Sequence, residues 1–67
     1  MGWLIKVKFK ERDNEWFVSK TKPEHPGDYF NASRSAAIVL EDDEKQTMME
    51  RLSRAFGSEL EIWAVKA

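Results

Sequence analysis

The sequence predicts a small α+β domain, a mainly antiparallel sheet of three or four strands packed on one face by a single helix, in the order β-β-β-α-β. Three observations predict it. Residues 3–10 and 59–66 alternate with a period of two, the mark of half-buried strands. Residues 43–56 carry apolar side chains at helical spacing. The chain has 67 residues, enough for one domain, 1–67, and for no second core.

In the first strand Trp3, Ile5, Val7 and Phe9 share one face, and Leu4, Lys6, Lys8 and Lys10 share the other. A charged stretch from Glu11 to Glu15 contains Asp13-Asn14, a pair that tolerates the left-handed backbone of a tight turn. Trp16-Phe17-Val18 then resumes a β-prone run, so a hairpin is expected. A two-residue turn at Asp13-Asn14 sets Phe9 opposite Val18 and Glu11 opposite Trp16. The core face then holds Trp3, Ile5, Val7, Phe9, Trp16 and Val18. A three-residue turn sets Phe9 opposite Phe17 and exchanges the faces of the second strand.

Residues 20–35 contain Pro23, Pro26, Gly27, Asp28 and Asn31 and read as the main loop. Ala36-Ala37-Ile38-Val39-Leu40 is short and apolar, with adjacent β-branched residues, which suits a third strand. Asp43 with Gln46 forms a capping-box pattern, and Glu44 lies in the first helical turn. Met48, Leu52, Ala55 and Phe56 form the apolar stripe, with Met49 at its margin, and Gly57 supplies the stop. In the last strand Leu60, Ile62 and Ala64 oppose Glu61, Trp63 and Val65.

Eleven basic residues stand against twelve acidic ones, a net charge of −1, which gives no general attraction to nucleic acid or anionic lipid. Residues 1–34 are mildly basic, with seven Lys/Arg against five Asp/Glu; residues 35–67 have four against seven. No cysteine is present, so neither a disulfide framework nor a thiolate zinc site can form. No apolar run has the length of a signal peptide or a membrane span, and the expectation is a cytoplasmic protein with no membrane partner.

Catalysis is poorly provided for. His25 is the only histidine and precedes Pro26 in the loop, with no base or nucleophile in sequence reach. Glu41-Asp42-Asp43-Glu44 lacks the glycine and spacing of a calcium loop, and helix capping accounts for these acids. The sequence therefore points to no catalytic residue, no metal site and no cofactor, and the expectation is a protein that is not an enzyme.

The sheet's second face is more informative. If the helix covers Ile5, Val7, Phe9 and Ile62, then Leu4, Phe17, Trp63 and Val65 point the other way, among Lys6, Lys8, Lys10 and Lys20. Large aromatics on an uncovered face mark a subunit interface or a partner site. Alternatively the loop folds over this face with Tyr29 and Phe30. Within the loop, His25, Tyr29, Phe30 and Arg34 are the candidate binding residues. The same face also reads as a single-stranded nucleic-acid platform, with aromatics stacking bases and lysines following the backbone. Alternating lysines equally protect a strand against aggregation, and no nucleic-acid-binding motif is present.

The pattern of an Ala-rich strand, an acidic cap, a helix closed by glycine and a final strand, over Ala36 to Val65, resembles small accessory proteins of bacteriophages and mobile elements. The resemblance implies binding to a host or defence protein, capture of a nucleotide-like ligand, or handling of nucleic acid, and it carries over no functional residue. The expected function is thus an accessory protein that inhibits a host or defence macromolecule or sequesters a small nucleotide-like ligand, in a homo-oligomer, with single-stranded nucleic-acid binding as the alternative.

Overall fold

A computed structural model describes residues 2–20 and 25–67. The sheet consists of β1 (Trp3–Phe9), β2 (Glu15–Val18), β3 (Phe30–Asn31) and β4 (Leu60–Lys66), all antiparallel, in the spatial order β3-β2-β1-β4. One helix, α1 (Asp42–Phe56), crosses between β3 and β4 in sequence and covers one face. The α+β class and the order β-β-β-α-β are those the residue pattern predicts.

β1 is central and pairs with β4 along its whole length, from Trp3 opposite Lys66 to Phe9 opposite Leu60. Its pairing with β2 sets Lys6 opposite Phe17, Val7 opposite Trp16 and Lys8 opposite Glu15. Neither expected hairpin register occurs. The chain turns earlier, at Lys10-Glu11, where the Arg12 N–H donates to the Phe9 carbonyl at 2.9 Å, and Asp13-Asn14 is not the turn. The register differs from the two-residue expectation by four positions, an even number. Every side chain therefore keeps its expected face, since only an odd slip exchanges them.

The third strand is Phe30–Asn31, where a strand was expected over 36–40. The reason lies in how β2 ends. Beyond Val18 the chain splays away from β1, so the Ile38 N–H takes the Val18 carbonyl at 3.1 Å, and Leu40 exchanges two 2.8 Å backbone hydrogen bonds with Trp3. Residues 38–40 thus fill the place beside β1 that β2 vacates, by one isolated bridge at Leu40 rather than a ladder.

α1 starts one residue earlier than expected, and its capping box is built from Glu41 and Glu44, not Asp43 and Gln46. The Glu44 carboxylate accepts from the Glu41 backbone N–H at 3.2 Å. Gly57 ends the helix at φ 64°, ψ −145°, a conformation in which a Cβ is strained, and its N–H donates to the Ser53 carbonyl. Of the apolar stripe, Met48 and Leu52 are buried, Met49 and Phe56 half-buried and Ala55 exposed. The core joins Met48 and Leu52 to Ile5, Val7, Val18, Leu40 and Leu60.

Tyr29 and Phe30 pack on this helix side, so they do not cover the opposite face. Phe30, Phe9 and Phe56 have ring centroids 5.5 to 5.9 Å apart, and Tyr29 lies 6.3 Å from Phe56. The pairing of Val18 with Phe30 delivers that ring to the cluster, which closes the core where α1 ends.

Candidate functional site

The face away from α1 is built by strand register alone. Because Lys6 pairs with Phe17 on one side and Trp63 on the other, Phe17, Lys6 and Trp63 form one row across three strands. Glu15, Lys8 and Glu61 form the next row by the same rule, and Leu4 and Val65 form the row on the other side. Six of the seven residues singled out for this face, Leu4, Lys6, Lys8, Phe17, Trp63 and Val65, are therefore brought together. Lys20 is not, since it lies past the end of β2, exposed. Lys10 lies likewise beyond β1.

Within the rows the charges are matched internally. The Lys6 ammonium lies 5.4 Å from the Phe17 ring centroid and 5.8 Å from that of Trp63, and it reaches Glu15 at 2.8 Å. Lys8 approaches Glu61 at 4.0 Å. Parity already sets Glu61 on the side of Trp63 and Val65; Glu15 is the member of this surface that residue pattern alone missed, and the ion pairs of both glutamates depend on register rather than on spacing. Two lysines and two glutamates leave the face with no net charge.

Nor is the face a bare apolar patch. Leu4 is 4% exposed and Phe17 8%, and Trp63 and Val65 are half-buried. Val39 is the one large apolar side chain exposed among the described residues, at 60%. It marks the Leu4–Val65 end of the face, where a Cβ at Gly2 would overlap the Val39 side chain.

The loop candidates do not converge. His25 is exposed and accepts the Asp28 N–H on its carbonyl. Tyr29 and Phe30 belong to the core margin. Arg34 reaches across to donate from Nη2 to the Lys66 carbonyl at 3.3 Å. Among the described residues no three His, Asp or Glu side chains gather as a metal site would require.

A cavity of about 420 Å³ opens between the hairpin turn and the Gly57–Glu59 turn, lined by Phe9, Lys10, Glu11, Arg12, Ser58 and Glu59. Its size is that of a small-ligand site. Its lining residues include two cations, Lys10 and Arg12, and two acids, Glu11 and Glu59, and the C-terminal end of α1, with its partial negative charge, lies beside it. The Phe9 ring is already engaged edge-on by Phe30 and Phe56. The cavity thus offers a phosphate no net attraction.

Comparison of the chain with protein-family models, with curated proteins and with solved structures finds no match in any of the three.

Proposed function

We propose that this chain acts by binding, and that its partner is a protein surface docked on the outer face of the sheet. The observation that carries this reading is the row Phe17–Lys6–Trp63, flanked by the ion pairs Lys6–Glu15 and Lys8–Glu61. A partly buried tryptophan beside apolar Val65, rimmed by paired charges of both signs, is the composition of a protein interface, where an aromatic anchor supplies most of the energy and the rim sets orientation. In its most specific form the reading is an accessory protein of a virus or mobile element that occupies and so inhibits a host or defence protein.

Two other readings draw less support. A single-stranded nucleic acid needs free cations along its backbone and open ring faces to stack on. Here Lys6 is ion-paired to Glu15 and Phe17 is 8% exposed. A nucleotide-like ligand would have to use the cavity beside Phe9, where the charges of Lys10 and Arg12 are balanced by those of Glu11 and Glu59.

Capture from bacterial lysate, followed by reconstitution with each purified binder, tests the reading. A stoichiometric complex with one protein is expected, and Trp63→Glu should weaken it by more than tenfold. Binding of single-stranded oligonucleotides that falls steeply with salt would move the function to nucleic acid. A protein that binds neither, yet carries absorbance at 260 nm beyond that of its tryptophans, would be a ligand carrier.

A further inference from the structure

The two edges of the sheet are unlike. β3, at one edge, has two residues, too short to template another strand, whereas β4, at the other, has seven, with no proline, glycine or bulge to interrupt it. The Lys10 N–H donates to the Glu59 carbonyl and the Ala67 N–H to the Gly2 carbonyl, so the odd-numbered residues of this stretch aim their backbone groups at β1. By the alternation of an antiparallel ladder, Ile62, Ala64 and Lys66 aim theirs away from the sheet. The Lys66 carbonyl meets Arg34, and among the described residues no strand meets Ile62 or Ala64. Side chains tell the same story: Ile62 and Ala64 on the helix face, and Trp63 and Val65 on the outer face, are all only half-buried. A strand laid alongside would finish burying both faces at once.

We infer that β4 pairs antiparallel with β4 of a second copy of this chain, about a twofold axis at Trp63, to make one continuous eight-stranded sheet. Charge selects a second copy in this direction. Glu61, near the start of β4, lies on the outer face and Lys66, at its end, on the helix face, so antiparallel pairing brings the acidic end of each strand to the basic end of the other with no like charges opposite, whereas in-register parallel pairing would set Glu61 beside Glu61. In this register Ile62 exchanges backbone hydrogen bonds with Ala64 of the second copy, and Ala64 with its Ile62. Trp63 lies opposite its counterpart on the outer face, and Glu61 opposite Val65, which keeps the two Glu61 carboxylates apart. The two outer faces then join into a single platform centred on the tryptophans. This pairing involves the strand edge and holds whatever the outer face binds, so its failure and that of the proposed function are read separately.

Sedimentation over a range of concentrations and amide hydrogen exchange on the unmodified chain test the pairing together. Twice the chain mass is expected at high concentration, with the amides of Ile62 and Ala64 becoming as protected as those of Trp63 and Val65. On dilution the even-numbered amides should lose protection while the odd-numbered ones, bonded to β1, keep it. Ala64→Pro removes one outward N–H and no bond to β1, and it should raise the dissociation constant more than tenfold with the circular dichroism of the fold retained. If Ala64→Pro does not fold, the exchange pattern of the unmodified chain decides. A monomer at every concentration overturns the pairing, and so does a dimer in which Ile62 and Ala64 still exchange fast.

Discussion

The indole N–H of Trp3 donates to the Asp42 carboxylate, joining the first residue of β1 to the first residue of α1 across 39 positions of sequence. Lys45, one turn along the helix, places its ammonium 4.3 Å from the centroid of the same ring. The backbone bonds between Trp3 and Leu40 bring the chain to this point, so the helix starts where the sheet is already fixed. A hydrogen bond to a partly exposed carboxylate and one cation–π contact contribute on the order of 1 kcal/mol together.

Trp3→Phe and Asp42→Asn should therefore each lower stability by about 1 kcal/mol, and the double variant by less than the two losses combined. For a domain of this size the single changes correspond to roughly 4 to 8 °C in Tm. Additive losses in a thermal double-mutant cycle would show that the two side chains do not act together.

Leu52 is fully buried where α1 meets the sheet, beside Met48 in the same core. Leu52→Ala removes apolar volume that neighbouring elements cannot refill, a loss of about 2 to 5 kcal/mol. In a domain of this size that is most of the stability, and the variant should be largely unfolded by circular dichroism at 37 °C. An unfolding midpoint within a few degrees of the parent would mean that the helix does not pack on Ile5 and Val7.

Much of this architecture is legible in the sequence because strand periodicity and helix stops are properties of short segments. Leu4, Lys6, Phe17, Trp63 and Val65 reach one face by parity alone, which survives a register shift of four. The pairings within that face are not legible. That Lys6 meets Glu15 depends on a turn at Lys10-Glu11, although Asp13-Asn14 is locally the better turn pair, and that Lys8 meets Glu61 depends on the separate register of β1 with β4. The third strand falls at Phe30–Asn31 rather than at residues 36–40 for a similar reason. Ile38 and Val39 have the stronger β-propensity, but Phe30 gains the aromatic contacts with Phe9 and Phe56 that hold it beside Val18.

Trp16 presents a different balance from Trp3. Its ring packs against the core opposite Val7, yet its Nε1 is buried with no acceptor among the described residues. A buried unpaired donor costs about 1 to 3 kcal/mol, and the ring area lost in Trp16→Phe costs a similar amount in the opposite direction. The variant should stay within about 1 kcal/mol of the parent. Chemical denaturation of Trp16→Phe beside Trp3→Phe measures the contrast, and a loss at position 16 larger than at position 3 would show that the Trp16 indole N–H is bonded.

Lys6 decides the character of the outer face, because its ammonium lies near both the Phe17 and Trp63 rings while its charge is met by Glu15. The ion pair is half in solvent and contributes little by itself. The two ring contacts add about 0.5 to 1 kcal/mol each, and the methylene stem keeps water from the aromatic edges. Lys6→Ala should then reduce stability by about 1 kcal/mol and shift tryptophan emission to the red. It should also bare an apolar surface large enough to promote self-association through the face rather than through the β4 edge. Lys6→Arg keeps a cation over both rings and should restore stability and emission together, whereas Lys6→Met restores the stem without the charge. Melting curves and emission spectra for the three variants separate cover from cation. Equal recovery by Met and Arg would assign the effect to the stem alone, and no change in Lys6→Ala would show that the row Phe17–Lys6–Trp63 is not held together in solution.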